Sequence, residues 1–319
     1  MKNTVGRNNV PLALLSFIAI FWMSCSSPKV NFRFALIKEN YKSVDHADRL
    51  KTDKTEVTST YFQMEGPAWE NENIAFRNYF DERNGIDIFG KKTHKMVLDS
   101  VGIAQNYHEM QTWGMDILKV GNSLGAGAIG LIIGDTLYRI GPNADADFKL
   151  LEKSKRRIAF ELNFYNWRVQ DRVYNVTHTI SMKAGTHYYQ NEVKILGLVG
   201  DEKLAVGIVD HIPNINLIKT GNSVVAYTHG KQTMQNEILG MGISTDPNQF
   251  ISVEHSDKFK SDVNHTHIIE LKLSESQHSA TWRFFAGWEL GDASFENPSN
   301  FRNIMMSESQ YDQKCPSGL

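Results

Sequence analysis

Arg157-Ile158-Ala159-Phe160-Glu161-Leu162-Asn163-Phe164-Tyr165 decides the fold class. Ile158, Phe160, Leu162 and Phe164 fall on every second position, and Arg157, Glu161, Asn163 and Tyr165 fall between them. A period of two puts one set on the buried face of a strand and the other on its far face. The same beat recurs. Ile74, Phe76, Asn78 and Phe80 alternate with Ala75, Arg77, Tyr79 and Asp81, and Trp282, Phe284, Ala286, Trp288 and Leu290 with Arg283, Phe285, Gly287 and Glu289. Tyr174 to Met182, Tyr189 to Ile195, Val224 to His229, Phe250 to His255 and His267 to Leu273 read as further strands. Gly185-Thr186, Gly200-Asp201, Gly221-Asn222 and Asp246-Pro247-Asn248 are the turns. Strands this closely spaced, without amphipathic helices between them, predict an all-β fold: a large antiparallel two-sheet sandwich of roughly fifteen strands. Few short helices are expected, one at Leu150 to Lys155 and one at Ser299 to Ser309 with Ser299 as its cap.

The chain has 319 residues, 41% hydrophobic and 22% charged, so it is long enough for a large core and too apolar for a disordered chain. Its net charge of -2 offers no basic field, and no nucleic-acid partner is expected. The two cysteines, Cys25 and Cys315, supply neither a disulfide framework nor a thiolate zinc site. Lys2 and Arg7 precede an apolar run from Leu12 to Met23, shorter than the ~20 residues of a membrane-spanning helix. This is the pattern of a signal peptide over 1–24. Ser24-Cys25 then resembles a bacterial lipoprotein site, with Cys25 as the lipidated N-terminus. The expectation is an exported lipoprotein on the periplasmic side of the envelope, touching the membrane only through that anchor. A single β-sandwich domain over 25–319 follows, with its core at about 30–290 and a short C-terminal helix and tail.

Several constellations could carry chemistry. Gly125-Ala126-Gly127-Ala128-Ile129-Gly130 satisfies G-x-G-x-x-G, but Leu131 to Tyr138 reads as strand and turn rather than a helix. The glycines therefore serve backbone approach, and no cofactor is expected. Arg77, Tyr79 and Asp81 share a face, with Arg83 close behind. They either line a polar groove, where an arginine fork suits a carboxylate, or form ordinary charge pairs. In the segment His108 to Gly121, His108 could be a general base or acid, Lys119 a neutralising cation and Trp113 a sugar platform, or the segment could be a plain loop. Of 11 histidines, His178 lies between Val176 and Ile180 as a packed residue, while His187, His211, His229 and His255 suit a sheet rim. His265 and His267 form a weak candidate metal pair, so a divalent metal is allowed but not expected. There is no G-x-S-x-G, P-loop or H-E-x-x-H.

Gly66-Pro67-Ala68-Trp69-Glu70, Arg77 to Asp81, Asn84 to Lys91, Trp113 to Asp116, Lys119 to Gly121, Ser123 to Gly127, Gly230-Lys231-Gln232, Leu239-Gly240-Met241 and Ala286 to Leu290 resemble an uncharacterised-domain family of Bacteroidota polysaccharide-utilisation loci. The resemblance covers most of residues 60 to 290. It implies a mutarotase-like supersandwich and an exported protein related to an oligosaccharide dehydratase of ulvan breakdown. Such an enzyme removes water across C4–C5 of a saturated uronic acid at a non-reducing end. On that reading Arg77 holds the carboxylate, His108 is the base and Lys119 neutralises or acts as acid. Tyr79, Tyr189 and His211 are possible replacements in the acid or base role. Asp81, Arg83, Trp113, Asp116, His187 and Arg283 complete the substrate site. A sugar epimerase or mutarotase, a non-catalytic glycan-binding protein and a carbohydrate esterase are the alternatives.

Overall fold

Residues 29–50, 55–104 and 106–309 are described by a computed structural model of the chain. The expected signal peptide at 1–24, Cys25 and Cys315 lie outside them. Strands dominate, and every named strand pair is antiparallel. One layer is a nine-stranded sheet in the order Asn216–Lys219, Val224–Lys231, Ile238–Thr245, Ser279–Trp288, Tyr188–Leu196, Arg172–Lys183, Arg157–Val169, Asp145–Lys153, His46–Asp48. The facing layer consists of two five-stranded sheets. The first runs Val30–Arg33, Ala68–Asn71, Ile74–Asn78, Ile86–Lys91, Gly114–Asp116. The second runs Thr136–Arg139, Ala126–Ile133, Lys203–Val209, Thr266–Leu271, Phe250–His255. A parallel bridge between Ile86 and Gly125 links them. The all-β antiparallel sandwich expected from the alternation is therefore present, with one side divided in two.

One core joins the layers. Phe32 of the first sheet stacks on Phe148 of the nine-stranded sheet, centroids 5.0 Å apart, and Phe76 meets Tyr189 edge-on at 4.7 Å. The alternation quoted first is realised directly: Ile158, Phe160, Leu162 and Phe164 are buried in this core. Offset and edge-on ring pairs of this kind contribute about 1 kcal/mol each beyond area burial.

Two local expectations need correction. Leu150 to Lys155 is not a helix: Asp145–Lys153 is a strand whose register shifts between Leu150 and Glu152. Burial still alternates along it, but an apolar Leu151, 41% exposed, sits on the outer face and Glu152 on the inner one, so the residue types do not show the period. The C-terminal helix is Pro298–Glu308, and its cap is Asn297, whose side chain accepts from the Ser299 N–H, rather than Ser299 itself.

This helix lies on the outer face of the nine-stranded sheet. Phe301 and Met305 join Phe295, Val225, Tyr227 and Phe285 in a second buried cluster. The sheet makes room with glycines: a Cβ on Gly240 would sit 2.6 Å from Phe301 Cδ1.

Gly127 shows what the G-x-G-x-x-G glycines do. Its φ is +92°, and a Cβ there would lie 2.6 Å from Tyr189 Oη and 2.7 Å from Phe284 Cδ2. The strand Ala126–Ile133 follows, with no helix to receive a pyrophosphate. Gly127→Ala is expected to cost about 2 kcal/mol through overpacking and backbone strain, read as a lowered denaturant midpoint with an unchanged slope.

Candidate functional site

The first candidate group grows from strand register. Arg77 stands opposite Asp87, and Phe89 opposite Asp116, so all four share one face of the first five-stranded sheet. Phe76 and Ile88, on the other face, go to the main core. Residues from the 92–113 segment cover the Arg77 face: Val97, Leu98, Val101 and Trp113 pack with Ala75, Phe89 and Met64.

Arg77 is fully buried. Its Nη2 donates to Asp87 Oδ2 at 2.5 Å, Asp116 Oδ2 at 3.3 Å and Tyr79 Oη at 2.9 Å, while Nη1 donates to the Met64 carbonyl at 3.0 Å. Arg83 lies 3.7 Å from the Tyr79 ring centroid and is held by Asp81 and Glu65. Arg77 therefore forms neither a groove wall nor a solvated charge pair. Its charge is consumed by the protein's own carboxylates, which leaves no fork for a substrate carboxylate and corrects its assigned role. Tyr79 is also mostly buried, and burial first of all holds its hydroxyl pKa well above the usual tyrosine value.

Burial, and then the charge of Asp116, raise the Asp87 carboxyl from 3.8 to about 7, against the opposing pull of Arg77. A carboxyl that binds its proton more tightly folded than unfolded favours the fold at acid pH. That contribution is complete below about pH 4 and is lost as pH rises through about 7. Asp87→Asn should therefore flatten the stability difference between about pH 5 and about pH 8, as read by urea unfolding.

His108 stands at the opening of this group, its side chain 52% exposed, with Nδ1 3.2 Å from Asp116 Oδ2. The hydrogen bond with Asp116 raises its pKa, against partial burial. Asp116 Oδ1 is buried and makes no hydrogen bond within the described residues. The imidazole is thus oriented and biased towards its protonated form, which suits an acid better than the base first expected.

The second group begins three residues along the same segment. The Lys119 carbonyl accepts from His211 Nε2 at 2.9 Å. Lys119, His211, Lys231, Gln232, Thr233 and Met234 line a depression of about 630 Å3, and no carboxylate is among them. Asp210, beside His211 in sequence, turns instead to His255 at 2.8 Å and His265 at 3.5 Å. A carbonyl can only accept, so Nε2 carries the proton and the Nδ1 lone pair is left available. Although His211 reaches solvent, desolvation of its ring by the loops around it lowers its pKa, partly offset by that hydrogen bond, and keeps the ring neutral near pH 7. Three residues of chain reach at most about 11 Å, which bounds the Cα separation between Asp116, the partner of His108, and Lys119, the partner of His211.

The remaining expected site residues lie elsewhere. Tyr189 is in the core, its hydroxyl donating to the Ala126 carbonyl at 2.5 Å, and cannot serve as acid or base. Trp113 is buried beside Phe89 and offers no open ring for a sugar. Asp81 is buried and engaged by Arg83. His187 stacks edge-on against Phe295 and Arg283 lies over Tyr188, both far along the sequence from His108 and belonging to the helix-covered side of the nine-stranded sheet. His265 and His267 do not share a strand face. His265 precedes the strand with φ of 49°, and His267 Nε2 meets the Ile212 carbonyl. Among the described residues, the histidines and acids close enough to share a metal ion are His46, Asp48 and Asp147, at the edge of the nine-stranded sheet.

Sequence reasoning overlooked Asp87, Glu65 and Lys231 as site residues, and Tyr107, whose hydroxyl donates to Glu65 Oε1 at 3.3 Å. Asp87 did leave a signal, a carboxylate between Ile86 and Ile88 in an otherwise apolar strand. Lys231 stood only in the Gly230-Lys231-Gln232 motif with no role attached, because only the fold brings it to His211.

A family model described as a domain of unknown function, DUF4861, matches residues 26–315. "Uncharacterized protein P7" of Formosa agariphila is 27% identical over 164 residues, which is 45% of this chain and 40% of that protein. Among solved structures, an alpha-mannosidase from Enterococcus faecalis V583 aligns over 88% of this chain and 40% of its own, at 10% identity and a TM-score of 0.41. A putative aldose 1-epimerase from Klebsiella pneumoniae subsp. pneumoniae MGH 78578 aligns over 91% of this chain and 100% of its own, at 9% identity and a TM-score of 0.37.

Proposed function

The chain belongs to the DUF4861 family of domains of unknown function, and we propose that it is a carbohydrate-active dehydratase. Its substrate would be an oligosaccharide, such as a fragment of ulvan, ending in a saturated uronic acid. The observation that carries this reading is a neutral imidazole beside two ammonium side chains in a depression lined by no carboxylate.

The C5 proton of a uronate is only weakly acidic while the neighbouring carboxylate is anionic. Lys119 and Lys231 would neutralise that carboxylate and stabilise the enolate-like charge that develops on it. His211 Nδ1 takes the C5 proton. The C5–H electron pair becomes the C4=C5 bond as the C4–O bond breaks. His108, held protonated by Asp116, gives its proton to the departing hydroxyl, which leaves as water. The two histidines are pushed in opposite directions by their surroundings, the pattern expected of an acid–base pair. An anomeric epimerase has less support: Asp81, Asp87 and Asp116 are buried, and Glu65 is shared by Arg77 and Arg83. We also infer export and anchoring at Cys25 from the apolar run ending at Met23.

Oligosaccharides ending in a saturated uronate should give a product with the ultraviolet absorbance of a conjugated acid and a mass lower by one water. Lys119→Met should raise KM about tenfold, the ratio that ~1.4 kcal/mol of lost charge pairing produces. Neither absorbance nor water loss across a broad uronate panel would sink the reading.

A further inference from the structure

His255 and His267 stand opposite each other on paired strands of the second five-stranded sheet, their ring centroids 5.8 Å apart. Both reach the stretch of chain that carries His211. His255 Nε2 donates to Asp210 Oδ2 at 2.8 Å, and His267 Nε2 donates to the Ile212 carbonyl at 2.8 Å. The residues before and after His211 are thus each held by an imidazole.

Those imidazoles are themselves fixed. His255 Nδ1 accepts from the Asp257 N–H at 3.3 Å, which leaves the ring proton on Nε2, towards Asp210. His267 is 4% exposed, and its partner is a carbonyl, which can only accept, so its Nε2 carries the proton. Asp210 is tied a second time, its N–H donating to the His265 carbonyl at 3.0 Å. Ile212 precedes Pro213, which restricts its backbone further. It also packs beside Gly230, the neighbour of Lys231: a Cβ on Gly230 would lie 3.2 Å from Ile212 Cδ1.

His211 has less hold of its own. Residues 211–213 belong to no strand or helix, and the ring reaches solvent. Its hydrogen bond to the Lys119 carbonyl is a single neutral one, modest in net worth. Such a bond orients a ring only where the backbone beneath it is already ordered, since otherwise it must also offset the entropy of ordering that backbone.

We propose that Asp210, His255 and His267 are positioning residues for His211. They clamp the backbone on both sides of it, so that Nε2–H stays on the Lys119 carbonyl and the Nδ1 lone pair stays available. That this nitrogen then takes a proton from a uronate rests on the reading above. None of the three lines the depression, so their effect passes through His211.

The test reads the ring directly. Long-range 1H–15N spectra of 15N-histidine-labelled protein at about pH 7.5 report the tautomer of each imidazole, and His211→Ala assigns the His211 signals. Wild-type His211 should show one tautomer, with the proton on Nε2. In Asp210→Ala, His255→Ala and His267→Ala its two nitrogen shifts should move towards each other as the tautomers mix. Asp210→Asn, His255→Gln and His267→Gln keep an acceptor or a donor and should restore the wild-type pattern. On a uronate-ended oligosaccharide the alanine variants should lose about tenfold to a hundredfold in kcat, with KM within about twofold. Unchanged His211 shifts in the alanine variants overturn the proposal. So does a wild-type ring of mixed tautomers, or a failure of the conservative variants to restore the pattern. If His267→Ala does not fold, Asp210→Ala and His255→Ala decide, since the His255 side chain is 37% exposed and its removal leaves no buried void. Shifts that move as expected in a protein without turnover would sink the dehydratase reading and leave the clamp standing.

Discussion

His211→Ala is expected to lower kcat/KM for uronate elimination about a thousandfold, within the range that a positioned general base contributes. The fold should survive, because the side chain is exposed and its one hydrogen bond is to the Lys119 carbonyl. His211→Gln is the sharper variant: its side-chain N–H can still meet that carbonyl, but it has no basic nitrogen. It should be as inactive as the alanine variant, and a loss under about tenfold would remove His211 from proton transfer. The wild-type pH profile carries a second signature. His211 acts deprotonated, and its pKa lies below the usual 6.5, so kcat/KM should rise with pH through a limb below that value. His108 acts protonated, and its pKa lies above 6.5, so activity should fall through a limb above it. The result is a bell with one limb on each side of 6.5, and His108→Ala should erase its alkaline side. An alkaline limb retained in that variant would exclude His108 as the acid.

Arg77→Met should cost about 3–5 kcal/mol of folding stability, a large part of the ~5–15 kcal/mol that holds a typical domain. The guanidinium is fully buried between Asp87 and Asp116, and methionine leaves both carboxylates buried without their cation. They can escape only by protonation, so the loss should be greater at alkaline pH than at acid pH. Arg83→Met is the internal control. Arg83 also binds two carboxylates, but its side chain is 28% exposed, so water can replace it and the cost should stay near 1 kcal/mol. Urea unfolding of both variants at two pH values checks the contrast, and a loss under about 1 kcal/mol for Arg77→Met would mean that the cluster repacks around the change.

The layers of this fold were legible because alternation is a local property. Ile158 to Phe164 states which face is buried without reference to any other strand. The strand at Asp145–Lys153 was not legible, because Leu150 and Leu151 stand in succession with Leu151 on the exposed face, so residue type does not follow the period that burial keeps. The site divides along the same line. Arg77, Tyr79, Asp116 and His108 were picked out by residue type and local segment, and the structure brings them together. That Arg77 is neutralised by Asp87 depends on the pairing of two strands, and that His211 meets Lys119 and Lys231 depends on loops far apart in sequence. Trp113 misled for a related reason: an aromatic residue in a loop looks available until the loop is seen folded over its own apolar side chains.

The helix Pro298–Glu308 seated on the glycine-floored face near Gly240 bears on how the protein can be trimmed for laboratory use. A recombinant chain ending before Pro298 would keep every strand described here, yet Val225, Tyr227 and Phe285 would lose the cover of Phe301 and Met305. The uncovered strip would be apolar and flanked by sheet, a surface prone to self-association. The last eleven helical residues thus act as a built-in solubility seal, and expression boundaries should be drawn beyond Glu308.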